Sequence, residues 1–77
     1  MSKDSDTSGQ WIEFYKKKGD YLVQLSENHI LNKEYRKALE LLSQAYNMYK
    51  KGNCIEDAEQ TKLKFDEIKQ EHFKKNE

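Results

Sequence analysis

Apolar residues recur every three or four positions from Trp11 onward, which is the spacing that places side chains on one face of an α-helix. The pattern is most regular in a second stretch, whose predicted face consists of Tyr35, Ala38, Leu42, Ala45 and Tyr49. The corresponding face of the first stretch consists of Trp11, Tyr15, Leu22, Leu25 and His29. That of the third consists of Cys54, Ala58, Thr61, Phe65, Ile68 and His72. No stretch alternates with period two for long enough to indicate a strand, so the sequence predicts three amphipathic helices.

The boundary between the second and third helices is indicated by two lysines followed by Gly52. Lysine complements the negative end of a helix dipole, and glycine is the residue that most readily adopts a left-handed C′ conformation. Asn53 is then expected to cap the third helix, with Glu56 as the return partner of a capping box. These signals predict helices over about 33–51 and about 54–74.

Gly19 leaves two alternatives for the first stretch. The lysines before it resemble the later lysine–glycine stop, which would divide the stretch into two short helices. The other alternative is one helix over about 10–31 with an interior glycine, at a cost of about 1 kcal/mol relative to alanine. We favour the single helix, because a helix of about eight residues is marginal alone. In addition, Trp11 and Tyr15 would fall on the same face of that single helix as Leu22.

The N-terminal segment, residues 1–10, contains no large apolar side chain after the initiator methionine. Such a segment buries too little surface to offset its ordering entropy, so we predict a disordered tail followed by a helical domain over residues 11–77. Ala38 and Ala58 both fall on the first inward turn of their helices, where a small residue lets two helix axes approach closely. The predicted fold is all-α, a three-helix antiparallel bundle.

The segment from Asp20 to Lys50 resembles a tetratricopeptide (TPR) helical hairpin. The first helix of that family has two large residues, then a small one, then an aromatic one at fixed positions. In this segment those positions are occupied by Leu22, Leu25, Ser26 and His29. The second-helix positions of the family correspond to Tyr35, Ala38, Leu42 and Ala45. Leu22 replaces the usual tryptophan, Ser26 the usual glycine or alanine, and His29 the usual tyrosine. Lys50 stands in place of the usual closing proline.

The same hairpin followed by one long third helix is similar to the MIT (microtubule interacting and trafficking) domain. Both resemblances imply a non-catalytic module that binds a protein or a peptide. The TPR resemblance implies binding in a concave face, and the MIT resemblance implies binding in grooves between helices.

Composition narrows the possible functions. The formal net charge is zero, whereas a nucleic-acid binder usually has a basic excess. Cys54 is the one cysteine, so an internal disulfide cannot form and nothing requires an oxidising compartment. No apolar run is long enough to span a bilayer. The sequence therefore favours a cytoplasmic protein without a membrane span, and it does not favour nucleic-acid binding.

The residues suited to metal or covalent chemistry are Cys54, His29 and His72. They fall on three different predicted helices, without the closely spaced ligand pairs that zinc sites use. The carboxylates at the start of the third helix are expected to complement its dipole rather than to form an acid–base pair. We expect no catalytic residue, no metal site and no cofactor.

The five tyrosines are more than one small core accommodates, and tyrosine suits interfaces because one end of it is apolar and the other wet. We predict an exposed partner-binding surface formed by some of Tyr21, Leu41, Tyr46 and Met48, and the competing interpretation is that they cover a thin core. The predicted function is a protein-interaction module that holds a partner helix or peptide in a groove beside helix two. The alternative is a small dimeric regulatory protein that contacts nucleic acid through lysine-rich helix ends.

Overall fold

The computed structural model describes the backbone of residues 2–73 and the side chains of residues 11–73. It contains three helices, α1 (Ser2–Leu31), α2 (Tyr35–Lys51) and α3 (Ile55–Phe73), and no strand within this range. α2 packs against both α1 and α3. The predicted all-α three-helix bundle is therefore confirmed.

Successive helices run antiparallel, because α1 and α2 meet in reverse order. Tyr49 lies against Gly19, whereas the later Gly52 lies against the earlier Tyr15. α1 and α3 run in the same direction, which follows from two antiparallel connections. α2 is thus the central helix of the bundle.

The observed α1 begins at Ser2, which differs from the predicted start near Gln10. The predicted disordered tail, residues 1–10, falls on a segment whose side chains lie outside the described residues, and it stays a prediction. At its other end α1 finishes at Leu31, as predicted. α3 finishes at Phe73, and residues 74–77 lie outside the described range.

α1 continues through Gly19 without a break, which confirms the single-helix alternative. Gly19 is buried, and a Cβ added there would lie 2.6 Å from the Tyr49 ring. The glycine therefore allows α2 to approach α1 closely, and it does not end the helix.

The two turns between helices share one hydrogen-bond pattern. In the first turn, the Glu34 N–H donates to the His29 carbonyl at 2.8 Å, and the Lys33 N–H donates to the Ile30 carbonyl at 2.9 Å. This pair of bonds is a Schellman motif, in which the C′ residue adopts a left-handed conformation. Lys33 is that residue, with φ 62°.

The second turn repeats the motif but corrects two predictions. Its left-handed residue is Asn53, with φ 60°, whereas Gly52 has φ −87°. The predicted Asn53–Glu56 capping box is wrong, because Asn53 has this conformation and α3 begins at Ile55. The residue directly before α3 is Cys54, whose carbonyl accepts a hydrogen bond from the Ala58 N–H. The reason for a glycine at position 52 is space, since a Cβ there would lie 2.8 Å from the Tyr15 Cβ.

The core is small and depends on small side chains. Its buried apolar residues are Leu22, Ala38, Leu42, Ala45, Tyr49, Ala58 and Ile68. Two buried polar side chains bond to the backbone of their own helices: the Ser26 hydroxyl donates to the Val23 carbonyl, and the Thr61 hydroxyl donates to the Asp57 carbonyl. Alanine and serine at these positions permit close helix packing.

Candidate protein-interaction groove

The four residues of the predicted partner surface differ in exposure. Tyr21 is 57% exposed, whereas Leu41, Tyr46 and Met48 are half-buried. These three pack against the buried cluster of Leu22, Ala45, Tyr49 and Ala58. They therefore cover the core and also present part of their surface to solvent.

The position of α3 separates these residues onto two sides of the α1–α2 pair. α3 packs against α2, and two exposed ion pairs join it to α1, Lys16–Asp57 at 3.3 Å and Lys64–Glu27 at 3.1 Å. Tyr46 shares a depression with α3 residues and so lies on the α3 side of α2.

Helix periodicity places the other three residues on the opposite side of the pair. Leu41 and Met48 project from the flank of α2 that faces away from α3, and Tyr21 projects from the matching flank of α1. The four predicted residues therefore do not form one continuous surface.

A groove runs between α2 and α3 on the side away from α1. It consists of two adjoining depressions of about 200 and 540 Å³, which share Ser43 and Phe65 as lining residues. We call it the α2–α3 groove and define it by Leu39, Ser43, Tyr46, Phe65 and Phe73. Sequence reasoning placed a groove beside helix two but identified only Tyr46 among these residues.

The surface of the α2–α3 groove is mostly apolar, and four charged side chains also line it: Arg36, Glu40, Lys62 and Asp66. Leu42, which is fully buried, lines its base. Lys62 and Asp66 form an ion pair at 3.4 Å along the α3 edge. On the α2 edge the Lys50 Nζ lies 5.7 Å from the centre of the Tyr46 ring. An apolar channel with both signs of charge at its edges suits an amphipathic segment.

An aromatic stack lies beside one end of the groove. The rings of Tyr35 and His72 lie 3.6 Å apart and nearly parallel, which joins the start of α2 to the end of α3. Beside them the His29 Nδ1 lies 2.6 Å from a Glu34 carboxylate oxygen. Phe73, next to His72, continues the groove into this region.

The candidate metal ligands and nucleophile are placed as follows. His29 and His72 both lie at the α1–α2 turn, but Tyr35 occupies the stacking face of His72. Cys54 lies at the other turn, half-buried, with its Sγ 3.6 Å from the Gly52 carbonyl oxygen. Within residues 11–73, no three His, Cys, Asp or Glu side chains come together in a metal-binding arrangement.

A polar cluster missed by sequence reasoning connects all three helices. The Tyr49 hydroxyl donates to Asp20 Oδ1 at 2.5 Å, and the Lys16 ammonium donates to both Asp20 and Asp57. Burial, and then the hydrogen bond to Asp20, raise the pKa of Tyr49 well above its usual value. The hydrogen bond to Asp57, and then the charge of Asp20, raise the pKa of Lys16. The four-residue spacing of Lys16 and Asp20 was the available signal in the sequence.

None of the helices in the described residues has the length and apolar character needed to cross a membrane. Comparisons with known protein families, curated proteins and solved structures find no match to this chain. The resemblance to TPR and MIT domains stays a prediction.

Proposed function

We propose that this protein is a non-catalytic interaction module that binds a helix or extended segment of another protein in the α2–α3 groove. The observation that supports the proposal is the continuity of the groove, whose two depressions share Ser43 and Phe65. Concave, largely apolar channels are the usual form of peptide sites. The proposal includes a cytoplasmic location, with which the single cysteine is compatible.

The dimensions of the groove indicate the kind of segment that it accepts. Leu39 and Tyr46 are seven residues apart on α2, which corresponds to about 10 Å along the helix axis. Two turns of a partner helix span this distance, so its anchors are expected at spacings of three and four residues. The Lys62–Asp66 pair and Lys50 then lie beside the polar flanks of that segment.

The test is a peptide-display selection on the wild-type protein, followed by fluorescence anisotropy with the selected peptides. Ser43→Arg places a long side chain at the residue that the two depressions share, and Ser43 is exposed, so the fold is expected to tolerate it. We expect binding to weaken at least about tenfold, which corresponds to about 1.4 kcal/mol.

Asn47→Arg is the matched control, because Asn47 is also exposed on α2 and lies one turn further along. We expect it to leave peptide affinity unchanged. Failure to select any peptide, or peptides that bind both variants equally well, would contradict the proposal.

The first lysine run is less available for nucleic-acid contact than the sequence alone indicates, whereas the second run, Lys50 and Lys51, is exposed at the end of α2. Lys16 forms ion pairs with Asp20 and Asp57, and Lys17 lies 3.9 Å from Glu13. Part of the first lysine run is therefore paired with carboxylates. The run at 74–75 lies outside the described residues.

A further inference from the structure

The side of the α1–α2 pair that faces away from α3 carries a second apolar surface. Its residues are Tyr21 and Leu25 of α1 and Leu41 and Met48 of α2, and we call it the α1–α2 seam. Tyr21 is exposed and the other three are half-buried, so apolar surface lies open along the line where the two helices meet.

Lysines are the charged residues that periodicity places beside the apolar residues of the α1–α2 seam, and the carboxylates near them are engaged with other groups. Periodicity places Lys18 of α1 and Lys37 of α2 on this side. Two α1 carboxylates lie on the α3 side: Asp20 bonds to Lys16 and to the Tyr49 hydroxyl, and Glu27 pairs with Lys64 of α3. At the α2 end of the seam, Glu34 lies 2.6 Å from the His29 Nδ1. Glu40, the one carboxylate within α2, lies 4.0 Å from Lys37, and an exposed ion pair at that distance is weak. A partner for the seam is therefore expected to be both apolar and acidic.

The outer face of α3 has this combination. Ile55, Glu59, Leu63 and Glu67 follow one another at intervals of four residues and form a ridge that alternates apolar and acidic side chains. All four are exposed, with Ile55 at 49% and Leu63 at 61%. In the part of the chain whose side chains are described, neither Glu59 nor Glu67 forms an ion pair. We call these four residues the α3 ridge.

We propose that the protein self-associates by docking the α3 ridge of one copy into the α1–α2 seam of a second copy. The apolar residues of the ridge would pack between the two helices of the seam, as helix ridges fit into grooves. Glu59 and Glu67 would meet Lys18 and Lys37.

The ridge and the seam lie on different sides of one molecule, so the contact is head-to-tail. Such a contact leaves a free ridge at one end and a free seam at the other, and it produces chains or rings rather than a closed symmetric dimer. The α2–α3 groove takes no part in the contact, so this inference stands independently of the proposed function.

The test is the weight-average mass of the full chain by light scattering over a range of protein concentrations. At low salt we expect the mass to rise with concentration above the 9.2 kDa of the monomer. At about 1 M salt, where the Debye length falls to about 3 Å, we expect it to return towards that value. A mass of 9.2 kDa at every concentration up to about millimolar overturns the proposal.

Charge reversal identifies the surfaces involved. Lys18→Glu with Lys37→Glu, and separately Glu59→Lys with Glu67→Lys, are each expected to weaken self-association at least about tenfold. The variant that carries all four changes keeps the net charge at zero and is expected to associate again.

Lys50→Glu with Lys69→Glu is the matched control, because it changes the net charge as much as the seam variant does but lies away from both surfaces. We expect it to associate like the wild type at equal salt. Circular dichroism verifies that each variant keeps its helix content. Association that neither reversal weakens, or that the four-change variant fails to restore, rejects the ridge-and-seam contact.

Discussion

Tyr49 contacts two neighbouring residues of α1, Gly19 and Asp20. Its ring packs against Gly19, and its hydroxyl donates to the Asp20 carboxylate. The sequence suggested Tyr49 as a core residue, because it follows Leu42 and Ala45 on one helix face. It could not indicate that Gly19 lies beneath the ring, since that contact joins residues thirty positions apart in the chain.

Gly19→Ala is expected to destabilise the protein. In most helix interiors this change stabilises, but here the added Cβ would lie 2.6 Å from the buried Tyr49 ring. Overpacking of this kind costs typically about 1–3 kcal/mol, and we expect the free energy of unfolding in urea to fall within that range.

The control for Gly19→Ala is the same change in a Tyr49→Leu background, where the ring is gone. There we expect Gly19→Ala to be neutral or stabilising. An equal loss in both backgrounds would mean that the Tyr49 ring is not the cause.

Lys33→Gly is expected to stabilise the protein. Lys33 has φ 62°, a conformation that costs an ordinary L-residue about 1–2 kcal/mol and glycine almost nothing. Greater freedom of glycine in the unfolded chain offsets part of the gain, so we expect a rise of about 0.5–1 kcal/mol in the free energy of unfolding.

Gln44→Gly is the control for Lys33→Gly, because Gln44 is exposed inside α2. It is expected to cost about 1 kcal/mol. A loss of stability on Lys33→Gly as well would show that the left-handed conformation is not retained in solution.

At the scale of elements, α2 presents two different flanks. Tyr46 lines the α2–α3 groove on one flank, and Leu41 and Met48 line the α1–α2 seam on the other. Residues two positions apart on a helix point in different directions, so Tyr46 and Met48 can serve different surfaces.

Tyr46→Ala and Met48→Ala are expected to have separable effects. Tyr46→Ala should weaken binding of groove-selected peptides at least about tenfold and leave self-association unchanged. Met48→Ala should do the reverse, with peptide affinity within about twofold of the wild type. Anisotropy and light scattering measure the two properties, and circular dichroism checks helix content. A similar loss of peptide affinity in both variants would contradict the assignment of the two flanks.

The elements differ in how far the sequence could predict them. The α2 face was predictable because Ala38, Leu42, Ala45 and Tyr49 are all buried between two neighbouring helices. In α1 the pattern was less informative, since Trp11 is 50% exposed where α1 extends past the turn at Gly52. The groove itself was not predictable in detail, because periodicity does not specify on which side of the α1–α2 pair α3 packs.

At the scale of the whole molecule, positive and negative side chains are unevenly distributed between the helices, although the net charge is zero. α2 contains four lysines and arginines and one carboxylate, whereas α3 contains six carboxylates and three lysines. The net charge of zero excludes a basic excess over the whole chain. It could not indicate that one molecule carries both a basic and an acidic surface.

The central claim is that the α2–α3 groove is where a partner segment binds. The most direct measurement is a titration of the ¹⁵N-labelled protein with a selected peptide, followed by amide chemical shifts. We predict the largest shifts at Ser43, Tyr46 and Phe65, with little change at Tyr21. Shifts centred instead on Tyr21 and the rest of the α1–α2 seam would contradict the claim.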